Sequence, residues 1–527
     1  MTLDDNIPKE QSTSQRVKRS MLSMLIGRPI SALGGLLVLV LLSRLLTKEE
    51  YGAYFALWAL VEITILLSDP GVLHLIYRFV SASSNIQGQI MPKGPARQLL
   101  FTRCIALAIG AGILLIIPAH WLDLFKLTSS PDLLKAAAII LLFEGAARTI
   151  EAIFDTMLCQ GASQISTVAR TLIRLLGVYF CFLQTNTLTF EMLIWVDICA
   201  TALGFLLASI LLMRIYINRK TYEGHYVDPA PVPPRTLFYY AGPAYLSQIL
   251  GILFSIDMLK LTLSGGNSIY ELAVFGFVFS LTLVIQRYLP ANLFAGIFRP
   301  LFVSAAMKEH SERTLVELLI ACIKINWILI IPLAGFGFIL GDLLLSKISG
   351  GNYQHAGAVL TASIVGLMGF SAHLILANLC LAKKTPWPLL GANLFATSGL
   401  LIGIYLGAKY GALGAAFAFG VNEALWCVAC FYLIFRRSAF LPYADLTGLV
   451  RLLIIGLVTL AIAWLLKTFL SINPLIVASL LTVPFLIALC RWGIFSVREG
   501  EWLMAVLPLG HKLPLVIKFR SSQLLPE

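Results

Sequence analysis

Apolar runs of about 20 residues recur along the chain between short polar connections, and each is long enough to cross a ~30 Å hydrocarbon core as a helix. The first begins at Met21 and closes on the polar turn Thr47-Lys48-Glu49-Glu50-Tyr51-Gly52, after which a second run starts at once. Followed to the end, the pattern predicts about fourteen spans. They lie near 21–46, 52–77, 99–118, 134–158, 164–184, 191–213, 237–263, 270–298, 314–341, 355–382, 387–408, 412–435, 448–470 and 473–491. The expected fold class is an all-α polytopic membrane protein. The longest polar connection, 214–236, carries Pro229, Pro231, Pro233 and Pro234, a composition that makes a semi-rigid extended spacer. It divides an N-lobe of six spans (21–213) from a C-lobe of six (237–437), followed by a helix pair (438–491). A tail of 1–20 precedes them and one of 492–527 follows. Gly27-Arg28-Pro29 opens the first lobe and Gly242-Pro243 the second. An even number of spans per lobe would make the lobes repeats of one orientation, related about an axis along the membrane normal.

Composition agrees. Of 527 residues, 58% are hydrophobic and 13% charged, about half the charged fraction of a soluble domain. The net charge of +12 could suggest nucleic acid, but the basic residues cluster between apolar runs. With alternate connections assigned to opposite sides, 26 Lys and Arg fall on the N-terminal side and 8 on the other. That bias predicts both termini in the cytoplasm. The first run is too long for a cleaved leader. The outer connections are short, the longest around Ala119–Leu133, too short for a folded outer domain. The tail from Trp492 reads either as an amphipathic segment on the inner leaflet or as a plain tail. Nine cysteines sit mostly singly in apolar runs, where thiols act as small hydrophobes. Cys427-x-x-Cys430 lies within a span with no neighbouring strand, against a redox or zinc site.

Particular residues then point to a family. Gly27-Arg28-Pro29, the run from Leu45 through Thr47-Lys48-Glu49-Glu50-Tyr51-Gly52-Ala53-Tyr54, and Asp69-Pro70-Gly71 through Arg78 resemble the polysaccharide-transporter family, the Wzx-type oligosaccharide flippases. So does Lys409-Tyr410-Gly411-Ala412-Leu413-Gly414-Ala415-Ala416, closing on Arg436-Arg437. That family shares a superfamily with lipid II flippases and multidrug/toxin extruders. The resemblance implies two bundles around a central cavity and alternating access. It implies a monomer that moves an undecaprenyl-diphosphate-linked oligosaccharide among membrane lipids, beside polymerase and chain-length or export proteins. It implies no cofactor, metal or nucleic acid.

Charge inside the spans is the candidate chemistry, because ionisable groups at membrane depth cost ~2.5–3.5 kcal/mol each on insertion scales. Arg28 beside Pro29, and Arg287 three residues before Pro290, are candidates for a diphosphate, which an Arg fork binds bidentately. Arg28 could instead snorkel to the inner interface. Arg174 and Lys324 are further diphosphate candidates, or are satisfied by a neighbouring acid. The fourth span holds Glu144, Arg148, Glu151 and Asp155 at i,i+3 and i,i+4 spacing, so they share one broad face. That face is either a neutralised docking seam or a pathway wall with an ion-coupling carboxylate. Glu62, Asp69 and His74 of the second span are pathway or coupling candidates as well, as are Asp197, Asp257, Glu271 and Glu423. Asp257 and Lys260 read first as a structural pair, and His373 as a hydrogen-bonded core residue. Trp58, Trp121, Trp195, Trp327, Trp387 and Trp426 read mostly as interfacial anchors.

These features favour a transporter that is not an enzyme. No G-x-x-x-x-G-K-[ST] loop is present to hold ATP, so a gradient or substrate supply would drive it. A multidrug/toxin-type antiporter is the alternative, disfavoured because the first span carries Arg28 and no carboxylate. A glycosyl polymerase or ligase would need a large outer loop.

Overall fold

The computed structural model describes residues 13–80, 93–118, 131–157, 159–185, 187–218, 232–266, 269–293, 311–382, 387–436, 446–469, 474–497 and 499–500. The start of the N-terminal tail, the outer connection at 119–130, most of the Pro-rich connection and the tail beyond residue 500 lie outside the described residues. Every regular element within them is a helix. Two compact units form, Met1–Ile249 and Leu250–Glu527.

Eleven described helices are long and apolar enough to cross a membrane. The number departs from fourteen at three places. Trp387–Phe435 counts once, as an apolar stretch of 49 residues broken at Gly411, where two spans were expected. The helix Pro131–Thr156 carries too much charge to qualify, and Leu481–Arg491 is short.

The first unit contains α1 (Thr13–Leu45), α2 (Lys48–Leu67), a short α3 (Val72–Leu75) running into a π turn (Ile76–Val80), and α4 (Lys93–Ile116). It continues with α5 (Pro131–Thr156), α6 (Gln160–Thr185), α7 (Phe190–Asn218) and the start of α8 (Pro234–Leu253). The Thr-Lys-Glu-Glu turn acts as a capping box, with the Thr47 hydroxyl accepting from Glu50 N and Glu50 Oε2 accepting from Thr47 N at 3.1 Å. The other Glu50 oxygen accepts from Phe190 N at 3.2 Å, so one carboxylate starts α2 and also holds the first residue of α7.

Asp69-Pro70-Gly71 breaks the second span. Pro70 has no N–H to give, and Gly71 takes φ 75°, where a Cβ would press on the Ala241 carbonyl. The carbonyls freed by the break must be satisfied inside the protein, since lipid offers no donor. Arg103 donates to Ile65 O at 3.1 Å, Gln248 to Leu66 O at 2.8 Å and Tyr245 to Leu67 O at 2.6 Å. Asp69, 1% exposed, accepts from Leu73 N to start α3 and lies 3.7 Å from Arg103. These bonds, with Ala241 in the core around Val72 and Ile76, attach the start of α8 to the first unit.

The second unit contains α9 (Ile256–Gly266), α10 (Ile269–Tyr288), a one-turn α11 (Pro290–Leu293), α12 (Ser311–Ser349) and α13 (Gly357–Ala382). After these come α14 (Trp387–Ala396), α15 (Gly399–Phe435), α16 (Leu446–Phe469) and α17 (Pro474–Arg491). α15 is interrupted at Gly411, which adopts φ 58°. The Glu271 carboxylate, in the first turn of α10, accepts from Ala412 N at 2.7 Å and caps the segment that restarts there. A Cβ on Gly411 would collide with that carboxylate.

Glu271 follows Glu50 by 221 positions and Ala412 follows Phe190 by 222. A similar staple therefore occurs in each unit, at near-constant spacing along the chain.

Residues just past α17 are not a loose tail. Ile494 and Phe495 are buried with Ile331, Leu452, Ile455 and Phe485. Glu499, 1% exposed, binds the fully buried Lys324 amino group through both oxygens, at 2.9 and 2.8 Å. It also accepts from Ser496 N at 2.8 Å. A Cβ on Gly448 of α16 would fall on the same amino group.

Candidate functional site

The polar side chains of α5 meet those of α2 and α6 in a continuous seam. At its more open end Arg148 grips Glu62 with two bonds, at 2.7 and 2.5 Å, the side chains being 37% and 26% exposed. Arg148 Nε also donates to Glu144 at 2.8 Å, the i,i+4 contact that the spacing predicts. Glu144 turns its other oxygen to Arg170 at 2.6 Å, and Arg170 reaches Glu151 at 2.7 and 2.9 Å. The Ser166 hydroxyl completes Glu151 at 2.8 Å. Three carboxylates alternate with two guanidinium groups, which leaves one negative charge in excess when all are ionised.

Arg174, one turn beyond Arg170, turns to α7 instead. Its Nε lies 2.5 Å from Asp197, whose other oxygen accepts from the Trp58 indole at 2.8 Å. The guanidinium also stands over the Trp58 ring, 4.9 Å from its centroid. Asp155 is apart from the seam, accepting from Ser163 and within electrostatic range of Arg28.

Arg170 is the member that sequence reasoning misplaced. Counted as a basic residue of a connection, it is a central tie of the seam. Arg103, counted likewise, is buried against Asp69. Without them the charge bias becomes 24 against 8, and its direction stands. A signal for Arg170 was present: Ser163, Ser166, Thr167, Arg170, Thr171 and Arg174 fall at three- and four-residue intervals on α6, a polar stripe to match that of α5. Trp58, Trp327 and Trp426 are likewise not interfacial anchors, since their indole N–H groups donate to Asp197, Met368 O and Asn393 inside the bundles. Trp195 and Trp387 are largely exposed, as anchors would be.

Of the diphosphate candidates, Arg28 and Arg287 are exposed. Arg174 is held by Asp197 and Lys324 by Glu499. Asp69 is accounted for by the break it caps. Asp257 and Lys260 form their i,i+3 pair at 2.7 Å. Among the described residues no group of three or more His, Cys, Asp or Glu could hold a metal.

Among the described residues, the second unit shows no charged seam of this kind. Counted with the spacing of the staples, Trp58 corresponds to Phe279 and Asp197 to Phe419, an apolar pair with ring centroids 5.0 Å apart, so the polar contact of Asp197 with Trp58 and Arg174 has no counterpart there.

A family model described as polysaccharide biosynthesis protein matches residues 17–305, more than half of the chain. No curated protein matches the sequence. Among solved structures, "Lipid II flippase MurJ, inward closed conformation" is similar at a TM-score of 0.63 and 13% identity, over 88% of this chain and 98% of that one. An inward-facing multidrug resistance MATE family transporter of the MOP superfamily is similar at a TM-score of 0.55 and 15% identity, over 80% and 98%. At these identities the likeness establishes the fold alone, that of the MOP transporters.

Proposed function

Because the chain belongs to the polysaccharide biosynthesis protein family, with the fold of MOP transporters, we propose that it is a flippase. Its cargo in this reading is a polyprenyl-diphosphate-linked oligosaccharide, carried across the cytoplasmic membrane by alternating access without ATP hydrolysis. The observation that carries the reading is the seam of the first unit, three carboxylates and two guanidinium groups placed along apolar helices. Ionisable groups within spans are costly and mark a pathway. The excess carboxylate and the half-open Glu62–Arg148 pair offer both acceptors and donors, the chemistry that a hydroxyl-rich sugar requires. Arg28 and Arg287 are assigned to the diphosphate, each as a separate contact. Glu144, Arg170 and Glu151 hold the seam in register.

The test is deletion of the gene followed by mass spectrometry of the inner-membrane lipids. Accumulation of a polyprenyl-diphosphate oligosaccharide on the cytoplasmic face is expected, and it identifies the cargo. No accumulation, with polymer export intact, removes the reading.

A further inference from the structure

In the second unit His373 of α13 meets Glu423 of α15, with Nδ1 2.7 Å from Oε2. The imidazole lies flat on Trp426, with ring centroids 3.5 Å apart and an interplanar angle of 19°. Trp426 is itself anchored through its indole N–H on Asn393 of α14. Glu423 is 7% exposed, whereas the His373 side chain keeps 26% of its surface open. A buried carboxylate thus shares a bond with an imidazole that the protein leaves partly uncovered, and the ring's orientation is set by stacking.

We propose that this pair is a proton-binding site, loaded and emptied once per transport cycle. This rests on the transporter reading given above. Loading takes one proton from water onto neutral His373 and gives an imidazolium hydrogen-bonded through Nδ1 to the Glu423 carboxylate, a pair of zero net charge. Emptying returns that proton to water and leaves a buried carboxylate beside a neutral ring, with no ion pair of its own among the described residues, a state that burial disfavours. The two states therefore favour different packings of α13 against α15. The helices come close there, as a Cβ on Gly369 of α13 would fall 2.8 Å from the Glu423 Cβ and 3.3 Å from Ala424 N. Imidazole is the side chain whose unperturbed titration falls near neutral pH. A metal cation is a poorer fit, because a 2.7 Å contact leaves no space between the two groups and the described residues hold no ligand cluster.

Four charged groups on the packed elements have partners of their own, while Arg287 of α10 is exposed and Glu317 and Lys347 are further charges of α12. Lys324 of α12 is with Glu499, Lys260 of α9 with Asp257, Glu271 of α10 with Ala412 N and Asp342 of α12 with Gly357 N. Cys427, one turn along α15, is the further titratable group in electrostatic range of Glu423, and its thiol donates to Gly369 O at 3.3 Å.

Trp426 is a built-in reporter, because a protonated imidazole stacked on an indole quenches its emission. The experiment is a fluorescence titration of the purified full-length protein between about pH 5 and 8, with the Trp426→Phe signal subtracted. One transition is expected, with emission falling as pH falls. It should vanish in His373→Gln. In Glu423→Gln the transition should weaken or be lost over this range, because no carboxylate remains to hold the imidazolium against the indole. A titration like that of the wild type in either His373→Gln or Glu423→Gln overturns the site. In cells, both variants at wild-type abundance should lose polymer export at least tenfold, and full export by both overturns the coupling. If gene deletion leaves no lipid-linked precursor, the flippase reading fails, while the proton site stands or falls on its own titration.

Discussion

At the scale of single residues, the seam separates groups that hold from groups that remain open. Arg170 is 12% exposed between Glu144 at 9% and Glu151 at 13%. Arg170→Ala leaves Glu151 without its guanidinium and takes one of two from Glu144, and breaking a buried pair costs ~3–5 kcal/mol. The expected result is a several-fold drop in folded protein, read by fluorescence-detected size exclusion in detergent. Arg170→Lys should recover only part of it, since an ammonium cannot reproduce a guanidinium that reaches both acids. Glu62→Gln, at the open end, should leave abundance near wild type and lower export. For Arg28 and Arg287 the expectation is loss of export of at least tenfold in each Ala variant, with normal insertion and abundance. Full export by both at native expression would remove them from diphosphate contact.

At the scale of helices, each unit is tied by one carboxylate that holds the start of a later helix. Glu271→Ala removes the cap at the α15 break, and a lost cap costs ~0.5–2 kcal/mol. A lower unfolding midpoint in detergent is expected. Gly411→Ala should destabilise more, because it adds strain at φ 58° to a clash with Glu271. Gly407→Ala is the control, since its Cβ would make ordinary contact with Leu263 at 3.4 Å. Equal midpoints for the two glycine variants would mean that the break is not held as described. The break at Asp69-Pro70-Gly71 follows the same logic. Pro70 and the need for glycine are legible in the chain, but the donors that satisfy the freed carbonyls come from positions 103, 245 and 248, far away in sequence.

At the scale of the molecule, the segment after α17 acts as part of the second unit's core. A chain stopped at Arg491 loses Glu499 and leaves the Lys324 charge fully buried without it, so aggregation or degradation is expected. A chain stopped at Gly500 keeps the contact and should fold. Glu499→Gln should fall between the two, and Lys324→Met with Glu499→Leu should recover much of the loss, because two apolar groups need no charge balance. Monodispersity on size exclusion decides among these outcomes.

Hydropathy and charge bias determined a great deal unaided. The helical class, the positions of the apolar runs and the i,i+4 face of α5 follow from local spacing, because a helix in lipid must satisfy its backbone within itself. The capping box at Thr47 and the pair Asp257–Lys260 are equally local. Tertiary structure alone decided the partners. Whether Arg170 is a boundary charge or a buried tie, and whether Lys324 awaits a ligand or holds Glu499, depends on side chains 19 to 175 positions away. Hydropathy averages over a window and carries no term for a partner beyond it. The contrast between Trp58–Asp197 and Phe279–Phe419 becomes visible only once the two staples align the units.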